Sequence, residues 1–142
     1  MTASSGAILL AGRVLFAVFF VSAAWGHIQG HASRVEYSRA ARMPFPYVAG
    51  WPSGLWLAAG AASVAVGIWP DIGTLMLGAF VLPAGLLFHA YWRVEDPAQR
   101  QTQQMAFLRN VALAGASLAL FACFTTLGDQ VRFVVAGPLT HL

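Results

Sequence analysis

Four apolar runs, each close to the length of a membrane-crossing helix, leave this chain few folds to choose from. The first runs from Ala7 to about Trp25 and is interrupted only by Arg13, Ser22 and glycine. The others cover about 51–69, 72–92 and 104–123. About 30 Å of hydrocarbon takes roughly 20 helical residues. In lipid every backbone polar group needs an internal partner, so such runs are helices. The charge content points the same way. Charged residues make up 9% of the 142 and hydrophobic residues 58%, with a mean hydropathy of +0.67. A soluble domain carries roughly 25% charged residues, so a chain this poor in charge cannot clothe a surface in water. The expected fold is all-α: one integral membrane four-helix bundle, with a tail over 124–142.

The rest of the composition mainly excludes. Cys123 is the sole cysteine, which rules out an intrachain disulfide and a cysteine metal cluster. The net charge of +3 comes from arginine, with no lysine present, and reads as a membrane orientation signal rather than a nucleic-acid footprint. The first run carries an early arginine, lacks an A-x-A cleavage site and is too long for a signal-peptide core, so it is expected to remain as a helix.

The connections have distinct characters. Between the first two runs, Ser33 to Met43 has helical potential with basic residues on one side. It is expected to lie along the interface and to end at Pro44 and Pro46. The second run is rich in alanine and glycine, which let helix backbones approach closely in lipid. Pro70 and Asp71 are expected to turn it into an antiparallel hairpin with the third, which Pro83 should kink. In the tail, Phe133 to Ala136 is apolar but too short to cross, and is expected to rest on the membrane or dock on a partner. Four spans put 26–50 and 93–103 on one side, with Arg34, Arg39, Arg42, Arg93, Arg100 and Arg109 near them. By the positive-inside rule both of those loops are cytoplasmic and both termini outside, in the cytoplasmic (inner) membrane of a bacterium.

The scarce polar groups gather where the third run meets the fourth, LLFHAYWRVEDPAQRQTQQMAFLRN over 86–110. His89 sits near the end of one membrane helix and can give or take a proton near neutral pH. Arg109 and Asn110 stand at the start of the next. Two readings compete. In one, His89 and Asn110 bond the carbonyls of a quinone or similar head group, with Trp92, Phe107 or Tyr91 against its ring. In the other, His89, Arg93, Gln104 and Asn110 bond one another and cap helix ends. His27 and His31, four apart, are weak candidates for a metal or haem, because glycines flank them and no other span carries a central histidine. Arg13 either snorkels to the headgroups or points into the bundle. No nucleophile constellation, phosphate loop or carboxylate dyad is present, so catalysis by this chain alone is not expected.

Arg13, the glycines at 60 and 67, and above all FHAYW followed by FLRNVALAG resemble the DoxX family over roughly 12–120. The resemblance implies a small four-helix bacterial membrane protein of the kind related to a subunit of thiosulfate:quinone oxidoreductase. It also implies a place in a membrane redox complex. The partners implied are membrane lipid and other membrane subunits or further copies of the chain, and no nucleic acid. A bound quinone is the one cofactor contemplated; none is expected to be covalent. The alternative is a non-catalytic structural subunit or assembly factor. One departure concerns Arg13: Leu57 falls where the family often has an acidic residue, so an inward-facing Arg13 is expected to lack a carboxylate partner.

Overall fold

Each helix begins and ends where its residues can satisfy the backbone. In the computed structural model, which describes residues 1–140, α1 spans Ala3–Gln29 and starts with the Thr2 hydroxyl accepting from the Ser5 N–H at 3.2 Å. Gly30 separates it from α2, His31–Ala40. The third helix, α3, covers Trp51–Val66 and stops at Gly67, whose φ of +75° a side chain would resist. Helix α4 covers Pro70–Phe88. Helix α5 covers Pro97–Leu127, with the Asp96 carboxylate accepting from the Gln99 N–H at 2.8 Å. Proline suits a first helical turn, where its missing N–H is not needed.

These boundaries correct several expectations. Pro70 and Asp71 are the first turn of α4 rather than the hairpin turn, which is Gly67 to Trp69. Helix α4 stops at Phe88, leaving His89 as its cap and Tyr91–Arg93 as a separate 3-10 turn. Helix α5 starts well before Gln104, because Asp96 and Pro97 form a ready-made helix start, so most of the expected loop over 93–103 is helical. Among the described residues, three helices are long and apolar enough to cross a membrane. The fourth, α3, has 16 residues, which is about 24 Å of helix.

Helix α1 packs on α3, α3 on α4, and α4 on α5. The core is Phe20, Leu57, Ala61, Val64, Leu77 and Val81. Small residues set the approach of α3 to α4. A Cβ at Gly60 would lie 2.9 Å from the Leu77 side chain, and one at Gly73 would meet Ser63 and stand 2.9 Å from the Gly60 carbonyl. The outer faces carry large apolar side chains such as Leu15, Val18, Leu86 and Leu118, as lipid contact requires.

The two ends of the bundle differ. At one end the tail folds back on its own helices, so the piece 133–136, expected to rest on the membrane or dock on a partner, bonds the backbone of this same chain while the Phe133 and Val135 side chains stay exposed. Trp69 N–H donates to the Ala136 carbonyl at 3.1 Å, and the Val135 and Ala136 N–H groups donate to the Gly67 carbonyl. Further on, the Leu139 and Thr140 N–H groups and the Thr140 hydroxyl all donate to the buried Asp71 carboxylate. Arg13, 0% exposed, points into this end. Its Nη2 donates to the Phe133 carbonyl at 2.6 Å, so the partner is a backbone oxygen of the tail. At the opposite end, the last turns of α1 and α4 meet α2 and the first turns of α3 and α5.

Candidate functional site

Helix α2 converts this second end into a cavity. Arg34 and Ser38, four apart, share a helix face. The Arg34 Nε donates to the Gly26 carbonyl at 3.2 Å, tying α2 to the last turn of α1. The Tyr37 hydroxyl donates to the Phe88 carbonyl at 3.3 Å and the two rings lie 5.5 Å apart, tying α2 to the end of α4. Between these ties lies a cavity of about 540 Å³. Small-molecule sites fall in the range of about 300–1,000 Å³. Its apolar lining includes Phe19, Phe20, Phe80, Pro83 and Phe88. Its polar lining includes His27, Arg34, Ser38, His89, Arg109 and Asn110. Pro83 also strips the Ala79 carbonyl of its helical donor, and both residues line the cavity.

Hydrogen bonds fix which atom each histidine offers. The Ser53 hydroxyl donates its one proton to the Gly50 carbonyl at 2.8 Å and accepts from His27 Nδ1 at 2.6 Å. His27 Nδ1 therefore carries a proton, which leaves Nε2 for other company. His89 Nδ1 donates to the Gln103 Oε1 at 2.8 Å, with the same consequence. His31 is different. Its Nδ1 accepts from the Trp51 N–H at 3.2 Å, so it caps the start of α3. His27 and His31 thus serve separate partners, and among the described residues no group of three or more His, Cys, Asp or Glu side chains gathers.

The cations here have no acidic partner. The single ion pair among the described residues joins Glu36 and Arg39, both exposed on the outside of α2. Arg109 lies over the Phe19 ring at 5.7 Å, a cation–π contact. Burial lowers the Arg34 pKa from its ordinary value, because a charged guanidinium loses hydration there.

Of the residues singled out in the sequence, the structure brings His27, His89, Arg109 and Asn110 to one cavity. Trp92 and Phe107 stand apart from it, packed edge-on at 5.5 Å in a cluster with Tyr91. His89 bonds Gln103 rather than Asn110, Arg93 or Gln104. Asn110 instead packs its side chain against Gly85, one turn before His89. Arg34, Ser38 and Ser53 did not stand out in the sequence. The four-residue spacing of Arg34 and Ser38 was the available signal for two of them.

An apolar four-helix bundle with a mixed polar cavity under an amphipathic cross-helix defines a polytopic membrane protein with a ligand-sized chamber at one end. The chain belongs to the DoxX family, whose sequence profile matches residues 8–90. The match ends just after His89, so FLRNVALAG of α5 lies outside it. No curated protein and no solved structure matches the chain.

Proposed function

We propose that this protein is a membrane-embedded binding subunit. It holds the head group of a small amphipathic molecule with oxygen acceptors, the class that includes quinones, and serves a larger membrane redox complex. The observation that supports this reading is the cavity itself, where aromatic lining from α1 and α4 meets polar groups from α1, α2, α5 and the cap of α4. A quinone ring fits the Phe19, Phe80 and Phe88 side of it. Asn110 offers an amide N–H to its oxygens, while His89 and His27, each with its Nδ1 proton held by Gln103 or Ser53, present Nε2 as an acceptor for a hydroxyl such as that of a quinol.

By the positive-inside rule the arginine-rich end, and so the cavity, faces the cytoplasm. Thiol labelling of Arg39→Cys in a Cys123→Ser background tests this; labelling only from outside intact cells overturns it. For the binding reading, protein purified in mild detergent is extracted and its small molecules identified. We expect a roughly stoichiometric amphiphile, depleted in His89→Ala and Asn110→Ala. Intact protein that binds neither decylubiquinone nor a chain-matched fatty acid by calorimetry overturns the reading.

A second reading, a structural or assembly subunit, draws on a separate groove of about 610 Å³ between α1 and α3. Small residues Ala17, Ala24, Ala58 and Ala65 line it together with Val18 and Trp25, a shape that accepts a helix from another subunit or a second copy. Co-purification of a membrane partner, retained in His89→Ala and lost in Ala58→Leu, favours that reading.

A further inference from the structure

The chain has five acidic residues, and none of them lines the cavity. Asp71 holds the tail at the far end, Glu36 pairs with Arg39 on the outside of α2, and Asp96 caps α5. Glu95 is exposed in the loop before that cap, and Asp129 follows α5 at the far end. The cavity is nevertheless lined by two arginines, Arg34, which is half-buried, and Arg109, which is exposed. A half-buried cation without a counter-ion is costly unless something supplies the charge.

A second observation is independent of that accounting. Ser38 is 1% exposed, lines the cavity, and its hydroxyl has no hydrogen-bond partner among the described residues. Buried hydroxyls are ordinarily bonded, and one left open inside a chamber asks for an acceptor there. It sits one helical turn from Arg34 on the same face of α2.

We infer that the head group taken by this cavity is anionic: a carboxylate or phosphate monoester on a single alkyl chain. Arg34 and Arg109 supply the charge, Ser38 donates a hydrogen bond to the head group, and the chain lies along Phe19, Phe20 and Phe80. The inference rests on the binding reading above and narrows it by charge.

The test uses full-length protein in non-ionic detergent, with lipid removed, and calorimetric titration of chain-matched probes. Dodecanoate and dodecyl phosphate should bind at least about tenfold tighter than dodecanol, since hydrogen bonds to charged groups are the stronger ones. Arg34→Gln should remove most of that preference. Because Arg34 also bonds Gly26, Ser38→Ala serves as a second variant. It removes a hydroxyl with no protein partner, so thermal stability should hold while dodecanoate weakens several-fold. Equal affinity for dodecanol and dodecanoate overturns the charge assignment and leaves the binding reading standing. Inorganic phosphate competing as well as dodecyl phosphate overturns the amphiphile and marks a free-anion site. No binding of any chain-bearing probe, decylubiquinone included, overturns both.

Discussion

The Arg13 guanidinium donates to the backbone carbonyl of Phe133 across 120 residues of sequence, at 2.6 Å. Among the described residues its Nε and Nη1 have no partner, and the other bond from Nη2, to the Ala65 carbonyl, is longer at 3.5 Å, so the Phe133 contact is the shortest that holds this buried charge. Deleting the chain from Val131 should strand that charge and destabilise the bundle by about 1–3 kcal/mol from this contact alone. A double-mutant cycle isolates the contact: in an Arg13→Met background the same deletion should cost less, read by thermal unfolding in detergent. Equal costs in the two backgrounds would show the pair to be uncoupled.

Asp71 fixes the next part of the tail. Its carboxylate accepts from Leu139 and Thr140 N–H groups and the Thr140 hydroxyl at 2.8–3.1 Å while standing in the first turn of α4. Negative charge there also suits the helix dipole. Asp71→Ala should release residues 137–140, raising their amide exchange by at least about tenfold, and lower stability by about 1–3 kcal/mol. Unchanged exchange in that segment would mean the carboxylate does not hold it.

Two glycines should respond in opposite ways. A Cβ at Gly73 meets Ser63 and the Gly60 backbone, whereas one at Gly115 meets nothing within 4 Å. Gly73→Ala should push α3 from α4 and cost about 1–3 kcal/mol. Gly115→Ala should be neutral or gain up to about 1 kcal/mol from reduced chain freedom. Thermal unfolding of both variants in one detergent checks the contrast.

Cavity membership separates two neighbours in the sequence. His89 lines the chamber and Trp92 packs on Phe107 outside it. His89→Ala should weaken a bound amphiphile about tenfold, and Trp92→Ala should change it by less than about twofold. The reverse order in a titration would move the site to the aromatic cluster.

The four apolar runs were legible because lipid leaves a backbone no other way to bond itself. The convergence of His89, Arg109 and Asn110 followed from counting helix ends. Their partners did not follow, since one unread helix start shifts everything after it. With α5 beginning at Pro97, Gln103 stands two turns before Asn110 on the same face and takes the bond to His89. Gln104 is turned outward. The cavity's other half was hidden because α2 meets it through a half-buried arginine and an open serine, side chains that on a charged segment look like surface. The docking of the tail was illegible for another reason: it uses mostly backbone donors and acceptors, which leave no mark in side-chain pattern.

That docking also imposes an order on biosynthesis. Residues 131–140 leave the ribosome after all four long helices, yet they supply acceptors for Arg13 and Trp69 and donors for Gly67 and Asp71. A nascent chain stalled at Leu127 therefore sits in the bilayer with its first, second and third long helices each missing a bond. The bundle locks from its far end, late, and by the segment that looked least like structure.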